Sequence, residues 1–269
     1  MTDDSPTPYP DVNALIRELS ASMRPILAEH FLAMYLDGSL ASGAFDVDSD
    51  VDFIVVTDIA VAGELFEALR TMHDRINRID NPWAIQLEGF YISRQAIRRY
   101  DPAHEVHPNI ERGVGERLKM IRLDQTWDVH RYILRKQGIT LQGPGPQTFI
   151  DPVSPAQLEQ AMLVNLSGWA TRLLDDPAQM TFRGYQSYIV LSLCRILYTL
   201  QNDDVVSKAA AAQWARTTLD SRWTRLIDSA WDGRHNSNCD ASAEDIQGTQ
   251  EFIRFAMESG NHFFMFKKP

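Results

Sequence analysis

Residues 35–56 read YLDGSLASGAFDVDSDVDFIVV. The stretch leaves one apolar run, passes through Gly38 and Ser39, and closes on a β-branched run, with aspartates at positions 46, 48, 50 and 52. Alternate residues of a strand face the same side, so Asp50 and Asp52 are expected to point together while Val51 and Phe53 turn to the core. Two carboxylates on one face repel unless a cation lies between them. Hard divalent ions such as Mg²⁺ take oxygen ligands, commonly one or two carboxylates together with the phosphates of a nucleotide. Gly38 and Ser39 supply the complement: a tight loop whose backbone N–H groups can approach a phosphate, and a hydroxyl for a further hydrogen bond. For Asp46 and Asp48 an acidic surface loop is as good a reading as a metal site.

Outward from this stretch, FLAMYL (31–36) and VDFIVV (51–56) read as strands. Residues 12–29 and 60–76 carry apolar residues at helical spacing, with Pro25 expected to kink or interrupt the first helix. WAIQLEGFYIS (83–93) reads as a third strand. Residues 101–120 mix Pro, Gly and charge without a period, which predicts a long irregular segment of the kind that often carries function. TWDVHRYILRKQG (126–138) predicts a short helix ending at Gly138. The densest Gly/Pro stretch, QGPGPQTFIDPVSP (142–155), marks a domain boundary, giving domains 1–150 and 151–269. Ser154, Pro155 and Gln157 then have the form of a capped helix start, with the helix running to about Leu174. Four further helical patterns follow, at 184–201, 207–220, 221–233 and 243–259. The expected fold is α+β, a mixed sheet with helices followed by an α-helical bundle.

Composition narrows the function. The chain has 269 residues, 44% of them hydrophobic, enough for a buried core. No apolar run approaches the roughly 18 residues of a membrane helix, and the start MTDDSPTPYP is acidic. Cys194 and Cys239 form no disulfide framework, which suits a reducing cytoplasm. A formal net charge of −10 disfavours a nucleic-acid backbone and suits a small or cationic partner, with a monomer expected. His104 and His107 lack the spacing of a helical zinc site, and Trp169, Trp214, Trp223 and Trp231 fall at helical positions that suit packing.

The segment GSLASGAFDVDSDVDF resembles the Gly-Ser and Asp-x-Asp signature of the polymerase β-like nucleotidyltransferases. That resemblance implies two metal-binding aspartates, Asp50 and Asp52, and a third carboxylate on a later strand. Glu88, an acid inside the apolar strand QLEGFYI, is the candidate; a strand charge facing solvent is the competing reading. In the second half, GITLQGPGPQTFIDPVSPAQL, YIVLSLCRILYTL and SKAAAAQWARTTL are similar to the adenylyltransferases that modify streptomycin and spectinomycin. The likeness spans nearly the whole chain and is weakest between 95 and 125. It implies that Arg195 and Lys208 reach the ATP phosphates from the helical domain, the site lying between the domains.

Physical arguments bear on both cations. A lysine at a helix N-terminus opposes the macrodipole, and a phosphate there reverses the sign of that effect. An unpaired guanidinium in an apolar helix is costly, which Arg195 could also resolve through a structural ion pair. Lys208 could equally be a solvated surface residue beside Ser207 as an N-cap. The family's drug-binding acids are missing: Thr181 and Tyr185 stand in their places with Arg183 between them, and Asp175 and Asp176 are the nearest substitutes.

The expected function is an ATP-dependent adenylyltransferase using two Mg²⁺ ions. It would move AMP to a hydroxyl of a small polar acceptor resembling an aminoglycoside or aminocyclitol, with antibiotic resistance the role the resemblance implies. Asp50, Asp52 and Glu88 would bind metal, Glu88 also serving as general base, and Gly38 and Ser39 would cradle phosphates. Action on a protein or RNA end, or a non-catalytic nucleotide-binding regulator, are the alternatives.

Overall fold

Residues 5–152 build one mixed sheet clothed on both faces, because its central strands are apolar on both sides. The computed structural model describes residues 5–266, apart from the side chains of residues 179 and 261–266. Its strands are β1 (Phe31–Leu36), β2 (Val51–Thr57), β3 (Leu87–Ser93), β4 (Val106–Ile110), β5 (Lys119–Arg122) and β6 (Ile139–Gln142). They lie in the order β5-β4-β3-β2-β1-β6. β2 and β3 run parallel and every other pairing is antiparallel.

The two-residue period of a strand sorts the sheet into two cores. Val51, Phe53 and Val55 of β2 and Leu87 and Tyr91 of β3 face α1 (Pro10–Leu27) and α3 (Gly63–Ile76), whose stripe includes Val12, Leu15, Leu19, Leu69 and Ile76. Ile54, Val56 and Ile92 face the other side, with Ala96 and Ile97 of α4 (Arg94–Arg98), Trp127, and Leu134 of α5 (Asp128–Gln137). Asp52 and Glu88 sit two residues before Ile54 and Phe90, so both belong to this second face. Pro25 lies inside α1, in its last turn, and the helix runs on to Leu27, so the proline does not interrupt it.

Two further expectations need correcting. The segment 101–120 is not irregular, since it holds β4 and the start of β5, which pair as a hairpin. Pro108 masked β4, because a proline donates nothing to a ladder; here it lies outside the two-pair ladder that joins β4 to β3. The strand β6, four residues long, also lacked a readable pattern and is recruited by pairing with β1.

Packing divides the chain between Pro152 and Val153 into two compact units. The second unit consists of α6 (Pro155–Asp175), α7 (Arg183–Asn202), α8 (Lys208–Thr218), α9 (Thr224–Gly233) and α10 (Ala243–Phe266). Ser154 caps α6 by the reciprocal pair of bonds with Gln157, and Pro155 occupies the first helical position. α7 is the central helix, packed by each of the other four, and is buried from Gln186 to Leu200 on most of its circumference. Trp223 packs against Phe252 and Phe255. Among the described residues no helix is long and apolar enough to cross a membrane.

Candidate active site

β1 delivers the chain to a bend at Asp37, which leads into the single helical turn α2 (Gly38–Ala41). Gly38 has φ +62°, and a Cβ there would stand 1.9 Å from Oδ2 of Asp52. A side chain is excluded twice, by conformation and by space. Asp37 N donates to Asp52 O at 3.1 Å, which ties the bend to β2. The Oγ of Ser39 is buried and has no hydrogen-bond partner among the described residues.

The aspartate row is only partly a row. Oδ1 of Asp46 accepts from Ser49 Oγ at 2.8 Å and from Asp48 N at 3.2 Å, and Ser49 Oγ in turn accepts from Asp46 N at 3.0 Å. These bonds fold residues 46–49 into a turn, so Asp46 shapes the loop and the strand geometry begins only at Val51.

Asp50, at the mouth of β2, and Asp52, within it, converge on Glu88, which is the register partner of Asp52 on β3. One carboxylate oxygen from each of the three can be chosen so that all lie within 4.8 Å of one another. Glu88 is in the middle of the sheet, half-buried, rather than on an edge. Burial raises its pKa, the negative charge of Asp50 adds to the rise, and Arg112 and His130 oppose it. Arg112, from the turn between β4 and β5, forms an ion pair with Asp50. An all-oxygen, three-carboxylate donor set of this compactness fits hard divalent ions such as Mg²⁺.

The rest of this face is held by a stack. Trp127 meets Phe90 edge-on at 5.7 Å between centroids, carries the Arg131 guanidinium at 4.8 Å, and stacks against His130 at 5.6 Å. Arg131 is pinned by Asp128 at 2.9 Å and by the carbonyls of Ala96 and Ile97. Nδ1 of His130 lies 3.9 Å from Oδ2 of the buried Asp37. Arg112, Asp37 and His130 escaped the sequence reading. Arg112 stood in the segment without a period, and Asp37 was overshadowed by the Gly-Ser pair beside it.

The helical unit holds the two cations. Lys208 opens α8 behind Ser207, whose Oγ accepts from Ala210 N at 3.2 Å, and its Nζ lies 4.8 Å from the centre of the Tyr188 ring. Arg195 is half-buried in the middle of α7. Where the acids were sought, Thr181 donates to Ala178 O, Tyr185 stacks on Tyr188 at 5.9 Å, and Arg183 donates to Ser229 O. Asp176 accepts from Ala178 N, as a helix-capping residue does. His104 bonds to Asp101, and His107 bonds to the His104 carbonyl.

Comparison with known proteins gives the fold its place. The structure resembles the crystal structure of spectinomycin adenyltransferase AAD(9) from Enterococcus faecialis with ATP and spectinomycin, at a TM-score of 0.72. That likeness covers 92% of this chain and 98% of that one at 14% identity, and it shows a shared fold. The class of fold is thus the one that structure has, here a mixed sheet followed by a helical bundle. A spectinomycin 9-adenylyltransferase from Staphylococcus aureus is 24% identical over 83% of this chain and 85% of its own. An aminoglycoside (3'')(9) adenylyltransferase from Escherichia coli is 23% identical over 91% of this chain and 93% of its own. Residues 148–259 match the model of the aminoglycoside adenylyltransferase C-terminal domain. These likenesses relate the chain to the aminoglycoside adenylyltransferases.

Proposed function

We propose that the chain is an ATP- and Mg²⁺-dependent O-adenylyltransferase whose acceptor is a small hydroxylated aminocyclitol or aminoglycoside. The observation that carries this reading is the Asp50, Asp52 and Glu88 cluster set against the Gly38 and Ser39 bend. Mg²⁺ held by the three carboxylates would supply charge stabilisation at the α-phosphate and at the entering and leaving oxygens. Glu88 takes the proton of the acceptor hydroxyl onto its carboxylate as the acceptor oxygen bonds to the α-phosphorus and the bond to the β-phosphate breaks, releasing pyrophosphate. Its raised proton affinity makes it the stronger base among ordinary carboxylates. The orphaned Ser39 hydroxyl is a donor for a β- or γ-phosphate oxygen, and Gly38 leaves the backbone bare for close approach. The assignment of Arg195 and Lys208 to the phosphates rests on the resemblance.

The names of the relatives support the acceptor class. With Thr181 and Tyr185 in place of acids, two charge-assisted contacts of about 1.5–3 kcal/mol each are lost, so binding should be at least about tenfold poorer than where both acids are kept. The test is ATP consumption with spectinomycin, streptomycin and a neutral polyol in parallel, with the product weighed by mass spectrometry. An AMP adduct of a drug supports the proposal; turnover of the polyol alone overturns the acceptor class. No adduct or pyrophosphate with any acceptor, protein and RNA included, overturns the transferase.

A further inference from the structure

We infer that the cleft between α1 and β6 is a binding site for an amphipathic organic anion, a carboxylate carried on a short aliphatic body. A cavity of about 410 Å³ opens there, floored by Ile16, Met34 and Leu141 and rimmed by Arg17 and Arg24. Its size is that of a small-molecule site. Met34 belongs to the core on the α1 and α3 side of the sheet, so the cleft is on the face away from Asp52 and Glu88. The backbone makes the opening. β6 is an edge strand, and its register with β1 moves from Gln142 to Thr140 while β1 advances only from Met34 to Tyr35, so Leu141 is bulged. A bulge bends its strand and re-aims a side chain, which leaves room beside a packed helix. α1 supplies the other wall: Arg17, Ala21 and Arg24 follow at i, i+4 and i+7, so one stripe sets a small side chain between two guanidiniums.

The polar groups of the cleft are donors in want of an acceptor. Although the chain carries a formal net charge of −10, neither guanidinium meets a carboxylate among the described residues. Arg24 lies over the Phe31 ring at 4.3 Å, and Glu18, next to Arg17 in sequence, is bonded to Arg75 at 2.9 Å. Ser20, 9% exposed, accepts from Gln142 Nε2 at 2.7 Å, and no acceptor for its own proton stands among the described residues. Two forked cations and a hydroxyl proton select an anionic head group, and the paired N–H groups of arginine match a carboxylate. The floor offers no strong hydrogen-bonding group, so the body that rests on it is aliphatic.

The test is an NMR titration of the full-length protein, its methionine methyls labelled with carbon-13, with octanoate, acetate and octylammonium as probes. Met34, fully buried in the cavity floor, reports occupancy, and its signal is identified by its loss in Met34→Leu. Met120, exposed on β5 at the opposite edge of the sheet, reports nonspecific binding. Octanoate should shift Met34 saturably and leave Met120 still. Acetate, which lacks the body, and octylammonium, which inverts the charge, should bind at least about tenfold more weakly. Arg17→Gln combined with Arg24→Gln should weaken octanoate by about tenfold or more, and Ala21→Trp should block the cleft, each with an unchanged circular dichroism spectrum. No saturable shift of Met34, equal binding of octylammonium, or unchanged affinity in the double arginine variant overturns the inference. Neither ATP nor Mg²⁺ enters the readout, so such a failure leaves the transferase reading as it stands.

Discussion

At the scale of single residues the site is governed by carboxylates that cost stability when nothing neutralises them. Glu88 is held above its usual proton affinity by burial and by Asp50. Its native form therefore binds more protons than the unfolded chain between the ordinary carboxylate pKa and the raised one, and stability contributed there falls as pH rises through that window. Glu88→Gln should raise the melting temperature at neutral pH, the gain vanishing below the ordinary carboxylate range. It should also lower turnover by roughly 10² to 10⁴ while nucleotide binding persists. Thermal melts across pH and single-turnover rates check both halves. Gly38→Ala should do the opposite on stability, costing about 1–3 kcal/mol through its left-handed backbone and the contact with Asp52, with loss of nucleotide binding. Asp50 and Asp52 could be marked from the order of residues and Glu88 from the resemblance; the ion pair of Asp50 with Arg112 could not, because 62 positions of chain separate its partners.

Elements show where local chemistry is self-sufficient. The capping box of α6 closes within four consecutive residues, Ser154 to Gln157, so it can be read directly and does not depend on the rest of the fold. Ser154→Ala should lower stability by about 1 kcal/mol, measured by chemical denaturation. Lys208 is a more balanced case. Its charge opposes the α8 macrodipole by about 0.3–1 kcal/mol, and its contact with Tyr188 returns about 0.5–1 kcal/mol. Lys208→Ala should leave the melting temperature nearly unmoved while weakening ATP binding; a large fall in melting temperature at constant ATP affinity would make the lysine structural. The first of these two features was fully legible in sequence, the second only half so, since Tyr188 lies on another helix.

For the molecule as a whole, the core carries a pH liability. His73 on α3 is buried, bonds to the Tyr91 hydroxyl at 2.8 Å, and burial lowers its pKa from 6.5 to about 3. The unfolded chain binds a proton there that the native state refuses, so stability is full above about pH 6.5 and drains away as pH falls toward 3. His73→Gln should flatten that slope in urea titrations at several pH values. The sequence by itself determined the strands β1, β2 and β3, the Gly38 bend, the three carboxylates, the capped start of α6 and the order of helices after it. Each of these is a local pattern, periodicity or spacing along the chain, except Glu88, which the resemblance implied. Tertiary structure alone decided that Glu88 pairs in register with Asp52, that β4, β5 and β6 are strands at all, and that Asp37, Arg112 and His130 stand beside the carboxylates. Short strands gain their hydrogen bonds from neighbours distant in sequence, and the charges around a site are gathered by folding rather than by adjacency, so neither leaves a period for a reader of the chain to find.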